Sequence, residues 1–145
     1  MTLVDLPGGA APGSFITVVF DVKPRDCPNP FNLTEKGVLP PAILGTTGFD
    51  ITKIDVSTLK VNEMAPLRWA IEDVATPYAG DVTGCTACTA AGPDGIPDLT
   101  LKFSSESIAQ TLSGAASGRC ASLTLTGKYT TIPIAGLDYM SMKGK

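Results

Sequence analysis

The chain contains no histidine in its 145 residues. Without an imidazole, the Ser-His-Asp and Cys-His arrangements of nucleophilic catalysis are excluded. A pair of carboxylates working on a glycoside would need opposed acids in a cleft and several aromatic platforms, and neither can be assigned. The sequence therefore reads as that of a protein that is not an enzyme. Charge is also scarce: 17% of residues are charged, and 11 Lys and Arg against 14 Asp and Glu leave a formal charge of −3. That balance offers no positive footprint for a phosphate backbone, so no nucleic acid is expected as a partner. Aromatic residues make up only 6%. No apolar run approaches the roughly 20 residues that a spanning helix requires, so no membrane span is expected. The opening MTLVDLPGGAAPGSF lacks both a basic n-region and a long apolar core, and so is not an intact signal peptide.

What is plentiful is turn chemistry. The chain has 15 glycines and 12 prolines, scattered between short runs of Val, Ile, Leu and Thr, which is the pattern of many short strands joined by turns. Residues 1–13 end in LPGGAAPG and read as a flexible N-terminal arm, with Leu3, Val4 and Leu6 as its apolar contacts. Residues 14–145 then form one domain. Residues 15–22 (FITVVFDV) are almost wholly apolar or β-branched, which predicts a central strand covered on both faces. Three prolines in residues 23–30 (KPRDCPNP) dictate a rigid loop. Pro40 and Pro41 restrict residues 38–44 to an edge strand or a bulge. A turn at 55–57 precedes an alternating strand at 58–61, and residues 66–74 put Trp69 and Ile71 on one side of a further strand. A lone tryptophan in such a setting is expected in the core. Residues 98–103 and 120–126 alternate as strands, and 132–142 supply one or two more, broken at Ala135 and Gly136. Between them, Ser104 or Ser105 can cap a short helix carrying Ile108 and Leu112, with Gly114 as its stop. The sum is an all-β fold: an antiparallel β-sandwich, immunoglobulin-like or jelly-roll-like, with one short helix.

Residues 92–103 (GPDGIPDLTLKF) join a carboxylate-rich turn to a strand. In calcium loops of the pattern D-x-D-x-D-G-x-x-D, a glycine at position six makes the sharp turn, position seven offers a carbonyl and position nine a carboxylate. Asp94, Gly95, Ile96 and Asp98 match positions five, six, seven and nine, whereas Ala90 and Gly92 at one and three bring no side-chain oxygen. The loop is thus half a calcium site, to be completed by Asp73 or Asp81 from the preceding segments; of the adjacent Glu72 and Asp73, which point to opposite faces of a strand, Asp73 is the one expected at the site, and Asp21 is a more remote candidate. Calcium at the affinity of extracellular modules would pin a loop, contributing about 1–2 kcal/mol at millimolar concentration.

Cys27, Cys85, Cys88 and Cys120 are four, and allow three pairings. A single C-x-x-C with two isolated partners is poor zinc spacing, and no helix pattern follows it to lower a thiol pKa. Structural disulfides are expected, tying Cys85 and Cys88 each to one of Cys27 and Cys120. The competing arrangement closes the C-x-x-C ring and joins Cys27 to Cys120. Either implies an oxidising compartment. Asn32-Leu33-Thr34 matches an N-glycosylation acceptor.

In order along the chain, FDVKPRDCPNPFN, KGVLPPAILGT, FDITKIDVSTLKV, IEDVATPYAG, GPDGIPDLTLKF and LTLTGKYTTIPIAGLDY resemble a domain family of exported and surface proteins of bacteria and archaea. That family often sits near the C-terminal end of larger chains. Arg25 after Pro24, and Pro41, depart from its usual pattern. The resemblance implies a compact β-rich module in an extracytoplasmic setting and implies no activity. Two functions follow as expectations. The first is a calcium-stabilised structural subunit, secreted to the cell surface, that assembles with copies of itself into a filament, tube or layer through its arm and an exposed strand edge. The second is an accessory adhesion module of a larger secreted protein that binds a surface glycan.

Overall fold

The computed structural model of the protein describes residues 15–112 and 116–144. The arm, with Leu3, Val4 and Leu6, and the helix stop at Gly114 lie outside the described residues.

Two sheets face one another. One runs β1 (Ile16–Thr17), β10 (Ile132–Lys143), β9 (Cys120–Tyr129), β6 (Ile54–Val61), with β3 (Pro30–Asn32) beside the far end of β10. The other runs β2 (Val19–Asp21), β5 (Ala42–Leu44), β8 (Asp98–Ser104); β4 (Val38–Leu39) pairs further along β8, and β7 (Arg68–Glu72) lies along the opposite edge of β8. Every pairing is antiparallel except those of β1 and β3 with β10. The expected all-β sandwich with one short helix is the observed architecture.

Alternation builds the core. In β9, Leu123 and Leu125 are buried while Ser122, Thr124 and Thr126 are exposed; in β10, Ile134, Met140 and Met142 are buried. They meet Leu99, Leu101 and Phe103 of β8 and Ile43 of β5 in one cluster between the sheets. Pro40 and Pro41 divide β4 from β5 without the expected bulge: the register against β8 is the same on both sides of them, and the Pro41 carbonyl still accepts the Leu101 N–H at 2.8 Å; the expected edge holds for β4 alone, since β5 lies between β2 and β8. The helix α1 (Ser105–Thr111) is capped by Ser104, whose hydroxyl accepts the Ser107 N–H at 3.2 Å, and buries Ile108 against the core.

Four further expectations are corrected. Residues 15–22 do not make one central strand: β1 and β2 belong to different sheets, at the edge of each, and the chain crosses between them at Val18. Their apolar character reflects Ile16, Val18, Phe20 and Val22 all entering the space between the sheets, not cover on two faces. Residues 55–57 lie within β6 and not before it: the expected turn is present locally, with Asp55 Oδ1 accepting the Ser57 N–H at 3.1 Å, and there the register against β9 shifts between Asp55 and Lys60. Ala135 and Gly136 do not break the last strand; both hold register with β9 in an uninterrupted β10. Trp69 is not a core residue. It is 50% exposed on β7, where no strand of the opposing sheet covers it.

Candidate functional site

The acidic turn at 92–98 organises itself around hydrogen bonds from its own backbone. Asp73, one residue past β7, accepts the N–H groups of Asp94 at 3.1 Å and Gly95 at 2.6 Å, and Asp94 Oδ1 accepts the Ile96 N–H at 3.0 Å. Gly95 has φ +91°, a conformation that favours glycine. The expected meeting of Asp73 with this loop therefore occurs, as direct bonds. Asp98 faces the other way. It is fully buried and accepts the N–H of Gly45 at 2.9 Å, of Val74 at 2.8 Å and of Ala75 at 3.3 Å, so that three segments converge on one carboxylate. A Cβ on Gly45 would strike the Pro97 carbonyl, which is why that close approach requires glycine. Burial pushes the Asp98 carboxyl above its ordinary pKa, against the pull of the three N–H groups.

Asp81 stands apart. It lines a groove of about 350 Å³ together with Asp21, Asp138, Leu44, Tyr78 and Leu137. The five candidate ligands thus fall into three places: Asp73, Asp94 and Ile96 in one loop, Asp98 beneath it with its oxygens engaged by backbone, and Asp81 in the groove. Among the described residues no three His, Cys, Asp or Glu side chains gather as a metal-binding group. In the groove, Asp138 is buried and its Oδ2 accepts the Val22 N–H at 2.8 Å and the Asn29 Nδ2–H at 3.0 Å. Burial, then the neighbouring Asp138 charge, pushes Asp21 up to about 7. Burial also raises Asp138.

The cysteines pair as Cys27–Cys88 and Cys85–Cys120, with Cα atoms 5.5 and 5.9 Å apart. This is the expected crossing of the C-x-x-C to the two distant cysteines. Both bridges tether the irregular stretch between β7 and β8, one to the proline-rich loop and the other to the start of β9. Arg25 adds a third tie, its Nε donating to the Val74 carbonyl at 3.2 Å. Asn32 is exposed at the end of β3, and its side-chain oxygen accepts the Thr34 N–H and hydroxyl.

The most unusual surface is β7. Trp69 pairs with Leu101 and Ile71 with Leu99, so these side chains share the face of β8 that enters the core. Leu67, just before the strand, lies beside the same row: it lines a small recess with Phe103 and Ile108 of the core, and its N–H donates to the Lys102 carbonyl at 2.7 Å. Yet Leu67, Trp69 and Ile71 are 60, 50 and 46% exposed. On the opposing sheet the outermost strand is β6, and α1 and the 3-10 turn Ile51–Lys53 lie against β8. Sheet, helix and turn leave the inner row of β7 in the open. Along its outer edge no described strand pairs with β7. The alternation of Leu67, Trp69 and Ile71 is visible in the sequence; the missing cover is not, because it depends on where the opposite sheet ends.

Comparison with protein-family models, with curated proteins and with solved structures finds no match to this chain.

Proposed function

We propose that the protein is a noncatalytic structural subunit, exported to an oxidising extracellular setting, that assembles with copies of itself through the open edge of β7. One observation carries this reading: an apolar row, Leu67, Trp69 and Ile71, continues the core face of β8 into solvent along an unpaired strand edge. Monomeric proteins blunt their edges with short strands, charge, proline or cover. Here Pro66 precedes the strand and Arg68 and Glu72 flank its row, but both of these charges belong to the opposite face, opposite Lys102 and Asp98. Covering the row would contribute about 1 kcal/mol for each half-exposed side chain, roughly half the value of complete burial, in addition to the edge hydrogen bonds. Two disulfides support the oxidising setting, and among the described residues no helix is long and apolar enough to cross a membrane.

Size-exclusion chromatography and negative-stain microscopy of the full chain test the reading. Species larger than a monomer are expected, and Leu67→Ser with Trp69→Ser should return the chain to monomers without loss of β-structure. A wild-type chain that is monomeric throughout removes the assembly reading. The half-exposed Trp69 ring also supports a second reading, the glycan-binding accessory module. That reading expects a monomer whose tryptophan emission responds to soluble surface glycan.

Calcium belongs to the proposal in a narrowed form, as a ligand of the one loop that holds Asp73, Asp94 and the Ile96 carbonyl. The expected result is a calcium-dependent rise in Tm of the wild type that is lost in Asp94→Ala. Absence of any rise removes calcium and leaves the assembly reading intact.

A further inference from the structure

Resting on the assembly reading, we infer that the segment which covers β7 is residues 2–6 (TLVDL) of a neighbouring copy, docked antiparallel along the free edge with Asp5 directly opposite Arg68. The register follows from the two sequences. Pairing Asp5 with Arg68 places Leu6 opposite Leu67, Val4 opposite Trp69, Leu3 opposite Ala70 and Thr2 opposite Ile71. Residues directly opposite in an antiparallel pair point to the same face. Val4 and Leu6 therefore join the row Leu67, Trp69, Ile71 on the uncovered inner face, and Asp5 meets Arg68 on the outer one.

The ends agree as well. Pro7 would stand opposite Pro66, so both chains leave the ladder at the same point, and neither proline is asked to donate within it. Shifting the arm by one residue would turn Asp5 onto the apolar row and Leu6 and Val4 away from it. Shifting it by two in one direction would put Asp5 opposite Ala70, and in the other opposite Pro66. Of the antiparallel registers that keep Val4 and Leu6 on the inner face, only this one sets Asp5 directly against an opposite charge. Residues 7–13 (PGGAAPG) link this segment to the domain. The domain is entered at β1, which with β2 lies on one side of the sandwich, whereas β7 is the outermost strand on the other. A neighbour's arm reaches β7 without circling the molecule. Such a contact is heterologous, arm to edge, and its repetition generates a filament or a closed ring in place of a simple two-fold dimer.

The test is a charge swap in the full chain, read by sedimentation velocity. Asp5→Arg alone sets two arginines against each other at the contact, and Arg68→Asp alone sets two aspartates there; each variant should associate at least about fivefold more weakly than wild type. Mixed in equal amounts, the two variants regain favourable partners. The Asp5→Arg arm meets the acidic edge of the Arg68→Asp copy, the unchanged Asp5 arm of that copy meets an unchanged Arg68 edge, and association should recover. If the wild type assembles and Leu67→Ser with Trp69→Ser disrupts it, while the single charge variants assemble normally or the mixture stays as weak as its components, the arm is not the occupant and this inference fails with the assembly reading standing. If the wild type does not assemble, both fail together. Recovery on combining both changes in one chain but not on mixing would place the arm on its own molecule's β7, and would also overturn the inference.

Discussion

Asp98 shows how one residue can hold a corner of the fold. Its carboxylate receives N–H groups from Gly45, Val74 and Ala75, which lie on segments that no strand ladder joins at that point. Replacing it with alanine strands three donors, those of Gly45 and Ala75 buried and that of Val74 partly so, at about 1–3 kcal/mol for each one left unsatisfied. Asp98→Ala should lower stability to chemical denaturation by at least about 3 kcal/mol, and Asp98→Asn, which keeps one oxygen, should lose less. Asp21 works in the opposite sense. Its pKa rises from 3.8 in the unfolded chain to about 7 in the fold, because burial and Asp138 disfavour the charge. The native state then binds more protons than the unfolded state between these values, so the stability that Asp21 contributes is fully present below 3.8 and is lost as pH rises towards about 7. Asp138 and Asp98, both raised, add to the same slope. Thermal melts across this interval should show Tm declining with pH, and Asp21→Asn should flatten the decline. These roles were only partly legible in the sequence. Spacing singled out Asp94 and Asp98 together because a calcium loop and a hydrogen-bonded turn use the same residues, carboxylate and glycine, in the same order. What separates them is the direction of each carboxylate, and for Asp98 that is set by strand alternation, which turns it away from Leu99, Leu101 and Phe103, onto the other face of β8, where Gly45, Val74 and Ala75 cover it.

At the scale of elements, the irregular stretch between β7 and β8 carries no ladder of its own and is held by tethers. Cys27–Cys88 and Cys85–Cys120 close loops of 61 and 35 residues, for which chain entropy gives about 4 kcal/mol each. Replacing Cys85 and Cys120 together with alanine should therefore lower stability by about 2–4 kcal/mol and expose the stretch to limited proteolysis ahead of the sheets. That each cysteine of the C-x-x-C reaches a distant partner was foreseeable, since such bridges fix a long loop as the small ring cannot; which of the two joins Cys27 and which Cys120 was not. Strand positions were legible wherever one face meets the core and the other meets water, as in β9. They failed where this assumption failed. In residues 15–22 the inward side chains serve two sheets in succession, so hydrophobic density suggested a centre where the chain makes two edges. In β7 the face shared with the core has no opposing sheet, so an alternation that ordinarily buries a tryptophan leaves it half in solvent.

Taken whole, the molecule is a sandwich whose two sheets end unequally: β7 extends one of them beyond the cover that β6, α1 and the Ile51–Lys53 turn provide. A core row that runs into solvent at one side leaves room for a further strand, which in the proposed assembly a second copy supplies. Assembly through β7, as proposed, buries Trp69, the chain's one tryptophan. Its fluorescence, followed over a concentration series with sedimentation recorded on the same samples, tests this most directly. Emission is expected to shift to shorter wavelength in step with association, as the half-exposed ring leaves water. Association that proceeds while the emission keeps its dilute, solvent-exposed maximum would contradict assembly through β7.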